Sequence, residues 1–551
     1  MKRIVLGSFL LLGCMQGFAQ RSQPAAPAAT IARPKLVVGI VIDQMRWDYL
    51  YRFYDVYKPN GGFKRLLGEG FSCDNTLVPY LPTVTACGHS CVYTGSVPAI
   101  HGITGNDWFD NNLQKTVYCV EDKNVQTVGS TTVAAGQMSP ENLWVTTITD
   151  ELRLATNFHS KVIGISMKDR GAILPAGHSA NAAYWYDGKS GNFITSTYYM
   201  NALPDWMQQF NNRKLTDSLY NKGWNLSLPK ETYEKYCDTD DNAYETKAFG
   251  KDALTMPYDL TQYKDKDFSK ILSTPYGNTI LGQLAQQVVA SEQMGKHDVT
   301  DFLAVSFSST DYVGHAFGPN SWELLDTYAR LDSTLGSLFA YLDKTVGAGQ
   351  YTVFLTADHA GAHVPEFLQK HHIPAGRMAD GNIADNLDDY LKARFGQAKL
   401  INAVNEYDIY LNHPLIDSLK LDEAAIKKVV TQYLLKKNEV LQVVDKRLAA
   451  DAPLPKVLRE MIANGYNATR SGDLQIINKT GVMDAAKTGM SHGVWNTYDA
   501  HIPLVWYGWG IKHGSTTKET YMTDISATVA GLLHIQMPSG NIGHVIEEVK
   551  K

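Results

Sequence analysis

Short apolar runs rich in β-branched residues recur at 35–42, 161–166, 302–307, 351–355 and 502–507, the pattern of strands buried on both faces. Between them, 144–154, 280–290, 322–342 and 524–533 place apolar residues three and four apart and predict helices. Strands alternating with helices predict an α/β fold with a parallel or mostly parallel sheet, in which ligands gather beyond the carboxyl ends of the strands. Polar residues fall at those ends. Asp43 closes the first run, Lys168, Asp169 and Arg170 follow the second, 308–311 the third, and Asp358-His359 the fourth. Two long stretches, 171–300 and 363–490, interrupt the rhythm and read as inserted caps. The first carries Tyr184-Trp185-Tyr186, aromatic residues suited either to a leaving-group pocket or to packing the cap on the core; the second carries a helical pattern over 421–448.

The 551 residues, 44% hydrophobic and 19% charged, have a globular composition, and 35–551 is expected to form one domain with insertions rather than several domains. A net charge of −5 with no basic run argues against nucleic acid as a partner. The membrane-like segment, 4–12, is too short to span a bilayer and follows Lys2-Arg3, as in a secretory signal peptide. Two processing readings compete: cleavage after Ala19, which we favour, and lipidation at Cys14 within Leu11-Leu12-Gly13-Cys14. Cleavage makes 1–19 a signal peptide and the Pro/Ala-rich 20–34 a leader linker, with no transmembrane helix left. It also removes Lys2 and Arg3, so the mature chain is two units more acidic. The protein is then exported, to the periplasm, with secretion or a lipid anchor as the alternatives. Cys73, Cys87, Cys91, Cys119 and Cys237 remain, an odd set for which disulfides or buried thiols are expected rather than a zinc finger.

Oxygen and imidazole donors suited to a borderline divalent ion form the strongest local signals. Asp311-x3-His315 is one pair and Asp358-His359 another, while Asp43 and His492 stand alone. With 16 histidines an Asp-x3-His arises by chance, and a lone Asp at a strand end is usually a cap. Together, three carboxylates and three imidazoles at strand ends or on glycine-rich loops suffice for two three-ligand zinc sites, each with a position open. Two such ions roughly 4 Å apart clamp both the attacking and the leaving oxygen of a phosphoryl displacement. Leu81-Pro82-Thr83-Val84-Thr85 precedes a helical pattern, which puts threonine at a helix N-terminus where an oxyanion is stabilised, although one of the two threonines is expected only to cap. In Ser166-Met167-Lys168-Asp169-Arg170, alternate cations leave a strand end together and can grip phosphoryl oxygens.

The order Asp43, Thr85, Asn106, Lys168-x-Arg170, Asp311-x3-His315, Asp358-His359, His492 resembles the alkaline phosphatase superfamily. More closely, it is similar to the threonine-nucleophile branch typified by PafA-type alkaline phosphatases and related to nucleotide pyrophosphatase/phosphodiesterases. The resemblance runs from Asp43 to the closing 502–510 segment. It implies a three-layer α/β/α sandwich with a mostly parallel central sheet and inserted caps, and two zinc ions per chain: one on Asp311, His315 and His492, the other on Asp43, Asp358 and His359. The family motif Pro-Thr-x-Thr maps onto Pro82-Thr83-Val84-Thr85 and implies Thr85 as nucleophile; where the family continues Pro-Asn-His, this chain has Ala86-Cys87-Gly88-His89. Asn106 matches the asparagine that bonds a phosphoryl oxygen, and Lys168 and Arg170 match the pair that marks the monoesterase branch.

The implied activity is hydrolysis of small-molecule phosphate monoesters through a covalent phosphothreonine, with broad specificity for scavenging phosphate. A phosphodiesterase or nucleotide pyrophosphatase is the runner-up, and a catalytically silent zinc- or phosphate-binding protein the reading from another class. Sulfatases are disfavoured because no Cys-x-Pro-x-Arg motif follows the first strand, and phosphoglycerate mutases because they use serine in the cytoplasm. His101, His178, His363, His371, His372 and His501 are read as supporting or surface residues, not ligands.

Overall fold

The run Leu-Val-Val-Gly-Ile-Val-Ile is buried at every position because it forms β1 (Leu36–Ile42) between two parallel neighbours. The computed structural model describes residues 32–250, 253, 255–378, 383–483 and 487–551. The expected signal peptide 1–19, and the linker as far as residue 31, lie outside the described residues.

The sheet that organises Pro34–Lys551 has ten strands: β1, β2 (Phe71–Cys73), β3 (Thr127–Val128), β4 (Val162–Ser166), β5 (Ala182–Asp187), β6 (Asn192–Ser196), β7 (Asp301–Phe307), β8 (Tyr351–Thr356), β9 (Leu504–Gly508) and β10 (Gly514–Thr516). Their order is β10-β2-β9-β8-β1-β7-β4-β5-β6-β3. The central five, from β8 to β5, are parallel; β9 and β6 run antiparallel beside them. Register aligns Ile42 with Phe307, Val41 with Thr356 and Ser306 with Ser166. Four neighbouring strands therefore release their carboxyl-terminal loops at one level.

Helices cover both faces. On one side α1 (Thr85–Thr94), α2 (Ile148–Ala155), α3 (Asp169–Ala176) and, further along the chain, the helix Asp524–Leu533 pack together; on the other lie α4 (Tyr276–Ser291), α5 (Ser309–Phe317) and α6 (Trp322–Leu342). Members of both groups touch β4 and β7, so the sheet is the middle of three layers.

Several expected elements shift for identifiable reasons. The helix expected at 144–154 begins at Ile148, where Thr147 and Asp150 form a reciprocal capping box. The helical pattern over 421–448 divides. Glu423–Leu434 is helical, but Val440–Asp445, rich in β-branched residues, pairs with Leu474–Asn478 as a strand. That pair belongs to a four-stranded sheet with Ile401–Asn405 and Asp408–Leu411, which has a hydrophobic core of its own around Leu387, Ile409, Ile426 and Val430. The 171–300 stretch contributes β5 and β6 to the main sheet. Tyr184, Trp185 and Tyr186 are buried on β5, so they pack the core and line no leaving-group pocket. The five described cysteines are free thiols, and all but Cys237 are fully buried.

Candidate active site

Five of the six predicted donors follow a strand end or lie on a helix that begins there. Asp43 is the residue after β1, and its N–H donates to Phe307 O at 3.0 Å. Asp358 and His359 follow β8. Asp311 and His315 are one turn apart on α5, hence on one face. His492 comes from a distant loop and is tied back by its Nδ1, which donates to Thr83 O at 2.8 Å. His315 Nδ1 donates to Met490 O and His359 Nδ1 to Ala360 O, both at 2.8 Å. A carbonyl only accepts, so each Nδ1 carries a proton and Nε2 is the ring nitrogen turned to the carboxylates. The rings of His359 and His492 stack with centroids 3.7 Å apart.

Asp311 Oδ1 lies 3.1 Å from His315 Nε2 and 3.8 Å from His492 Nε2. Asp43 Oδ1 and Asp358 Oδ2 each lie 3.6 Å from His359 Nε2. The donors of Asp311, His315 and His492 fall within 4.8 Å of one another, and so do those of Asp43, Asp311 and His359, so Asp311 stands between the two groups. Burial deepens from the His315 side chain, 37% exposed, to Asp43, Asp358 and His359 at 0%.

These residues fit metal ions on two counts. Asp43 Oδ1, Asp358 Oδ2 and His359 Nε2 are buried with no hydrogen-bond partner among the described residues, and such groups are costly unless something pairs them. The backbone bonds at all three Nδ1 atoms orient imidazoles as metal ligands are oriented. The electrostatics agree. Burial, with the charges of Asp311 and Asp358 adding, pushes the Asp43 carboxyl up to about 7, and burial pushes Asp358 up to about 6. Burial alone raises Asp311 as well, but His315 and Lys168 outweigh it and hold it well below the usual range. Burial, reinforced by the neighbouring His359 and His315, keeps His492 neutral. A third cluster, His413, Glu423 and Asp473, is instead an ion-pair network already neutralised by Lys427 and Arg447.

Between the two donor groups lies Lys168. Its Nζ donates to Asp43 Oδ2 at 2.6 Å and Asp311 Oδ2 at 2.7 Å, and stands 3.5 Å from Thr85 Oγ1. Thr85 is the first residue of α1 and is buried. Neither threonine of the motif caps that helix: Val84 occupies the cap position, and Thr83 Oγ1 donates to Val494 O at 3.0 Å, holding the loop that carries His492. Asn106 Oδ1 accepts from Ala86 N at 3.1 Å. Arg170 Nη1 donates to the Tyr118 hydroxyl at 3.1 Å, and that hydroxyl donates to Asp169 at 2.6 Å.

Four neighbours were not among the predicted site residues, although His89 closes the threonine motif. Gln44, in the left-handed region at φ 62°, donates through Nε2 to Asp311 Oδ1 at 2.7 Å and through its backbone to Asp358 Oδ1 at 3.2 Å. His89 bonds Thr85 O and Ser306 Oγ. The Tyr312 ring lies 5.1 Å from Lys168 Nζ. Glu406 reaches Asn106 from the inserted sheet. Of the histidines set aside earlier, His101, His178 and His501 are engaged in hydrogen bonds away from the donor groups.

An α/β sandwich with two adjoining oxygen and imidazole clusters beyond its strand ends has the make-up of a metal-dependent hydrolase. The model of the type I phosphodiesterase/nucleotide pyrophosphatase family matches residues 37–501, and the chain belongs to that family. It is 51% identical over 548 residues to alkaline phosphatase PhoV of Synechococcus elongatus, covering 99% of this chain and 98% of that one. To alkaline phosphatase PafA of Elizabethkingia meningoseptica it is 48% identical over 522 residues, 94% of this chain and 95% of that one. The crystal structure of wild-type PafA superposes with a TM-score of 0.92 at 47% identity, covering 95% of this chain and all of that one. Within the family, the chain is an alkaline phosphatase of the PafA type.

Proposed function

We propose that the protein is a zinc-dependent phosphomonoesterase of broad specificity, working through a phosphothreonine at Thr85. One observation carries the reading: the Thr85 hydroxyl lies 3.5 Å from the Lys168 ammonium, which is held by one carboxylate of each donor group. Asp311, His315 and His492 would hold one zinc, and Asp43, Asp358 and His359 the other. Two zinc ions would supply Lewis acidity to the attacking and leaving oxygens and lower the pKa of the nucleophilic hydroxyl.

Thr85 Oγ1 forms the bond to phosphorus as the ester oxygen leaves with its organic group, and water attacks the phosphothreonine from the opposite side to release phosphate. The N-terminal end of α1 favours negative charge at Thr85. Asn106, Lys168 and Arg170 bind the nonbridging phosphoryl oxygens; Arg170 presents a fork pre-set by Tyr118, and Lys168 a point charge. Two cations suit a dianionic monoester better than a diester, which has one fewer charged oxygen. The basic start Lys2-Arg3 and the apolar 4–12 support export to the periplasm after cleavage at Ala19.

The test is turnover of an aryl phosphate monoester against the matched diester on zinc-loaded protein. We expect a strong monoester preference that collapses in the Lys168→Ala/Arg170→Ala double variant. A diester preference indifferent to both residues would move the protein to the phosphodiesterase reading, and zinc binding without either activity would leave a silent binding protein.

A further inference from the structure

The tip of one hairpin of the inserted sheet reaches the segment that carries Asn106. Strands Ile401–Asn405 and Asp408–Leu411 pair antiparallel with Asn405 opposite Asp408, leaving Glu406-Tyr407 as a two-residue turn. Both turn residues are left-handed, at φ 48° and 68°, the geometry of a type I′ turn. That turn normally takes Asn-Gly, because a Cβ is strained in the left-handed region and Asn and Gly tolerate it best. A Glu-Tyr turn is therefore the wrong chemistry for the backbone alone, and strain of this kind persists where surrounding contacts use the side chains.

The contacts are specific. Glu406 Oε1 accepts from the Asn106 backbone N–H at 3.2 Å, and a side chain at Gly105 would meet Glu406 Oε2 at 2.4 Å, so the carboxylate seats closely against the Gly105-Asn106 backbone. The neighbouring Asn405 Nδ2 donates to Asp107 O at 2.7 Å, tying the same hairpin to the residue after Asn106. Asn106 in turn accepts from the first turn of α1 through Oδ1, which commits its orientation. On the other side of the turn, the Tyr407 ring edge lies against Gly493, the residue after His492. The base of the hairpin is anchored where Lys446 Nζ donates to both Asp408 oxygens at 3.0 and 2.7 Å.

We infer that Glu406 is a positioning residue for the phosphoryl pocket: the strained hairpin tip clamps the Asn106 backbone so that the Asn106 carboxamide, fixed through Oδ1 to α1, turns its Nδ2 donors to a phosphoryl oxygen. The inference rests on the proposed role of Asn106. It assigns the inserted sheet a catalytic purpose, that of holding one side of the pocket while the main sheet holds the metal ligands.

The test measures kcat/KM for an aryl phosphate monoester, together with the thermal midpoint, in zinc-loaded Glu406→Ala, Glu406→Gln and Glu406→Asn/Tyr407→Gly, each alone and with Asn106→Ala. Glu406→Ala should lose roughly ten- to a hundredfold, the usual scale for a residue that orients an active group. Glu406→Gln keeps the acceptor and should retain most of the activity. The Asn-Gly turn relieves the backbone, so it should unfold no lower than the parent while losing activity as the alanine variant does. In the Asn106→Ala background none of these changes should cost more, because the residue being positioned is gone. Full activity in the Asn-Gly variant, losses that add to Asn106→Ala, or losses that follow only a falling midpoint would each overturn the inference. An Asn106→Ala variant with parental activity would instead overturn the reading of the pocket beneath it. Should Glu406→Ala fail to fold, the Gln and Asn-Gly variants decide.

Discussion

Thr85 and Thr83 show how much two residues of separation change a threonine's work. Thr85 opens α1 within reach of Lys168, whereas Thr83 donates away from the site to the Val494 carbonyl. Thr85→Ala should therefore lower turnover by about a thousandfold or more with metal content intact, and Thr85→Ser, which keeps a hydroxyl, should retain much of it. Thr83→Ala should cost less than about tenfold, through a looser His492 loop. Steady-state kinetics on metal-analysed protein separates the three. The six donors stood out in the sequence as carboxylates and imidazoles at strand ends or on glycine-rich loops, whereas Thr85 was singled out over Thr83 only by resemblance to the family motif. Gln44, His89, Tyr312 and Glu406 did not stand out as site residues. Each acts through a left-handed backbone or a close approach between segments far apart in sequence, and neither leaves a local pattern.

Within α1, Gly88 stands one turn after Thr85, where the sequence departs from the family motif named above, and the structure shows what the position tolerates. A Cβ there would lie 2.2 Å from Asp358 O and 2.6 Å from Asp358 Cβ. Gly88→Ala should destabilise the protein by about 1–3 kcal/mol in chemical denaturation and also weaken metal retention, because the displaced residue is a proposed ligand. The start of α2 gives a pH prediction. Burial alone raises the Asp150 carboxyl, but His178, Thr147 and Ser179 outweigh it and hold the group at about 2. A depressed carboxyl contributes stability above its unfolded value near 4 and loses it as pH falls through about 2. Asp150→Asn should thus cost about 2 kcal/mol at neutral pH, a difference that narrows between about pH 4 and 2 and is checked by denaturation of both proteins across that range. The capping box of Thr147 and Asp150, rather than the apolar spacing from 144 onward, sets where α2 begins. The 421–448 pattern misled because a helix and a strand, each with its own apolar face, follow one another with only a polar turn between, and pairing with Leu474–Asn478 is invisible locally.

Across the whole molecule, strand order does what no motif can: it gathers residues from Asp43 to His492 by placing β8, β1, β7 and β4 side by side. The alternation of strands and helices made that sheet legible, whereas the antiparallel sense of β9 and the separate inserted sheet depend on pairing between distant segments, and the β5–β6 hairpin lies in a stretch read as a cap. The collected site holds three buried carboxylates against one ammonium, so metal should stabilise the fold as well as activate it. Chelation should abolish activity and lower the thermal midpoint, and zinc should restore both; saturation at about a hundred times Kd corresponds to about 2.7 kcal/mol. Calorimetry of the stripped and reloaded protein reads this directly. The central claim, a phosphoryl group carried on Thr85, is met most directly by acid-quenching the zinc-loaded enzyme during turnover of an aryl phosphate monoester and mapping the modified peptide by mass spectrometry. The account predicts one phosphoryl group on Thr85 and none in Thr85→Ala. Turnover with no phosphorylated residue, or with the label elsewhere and Thr85→Ala still active, would contradict it.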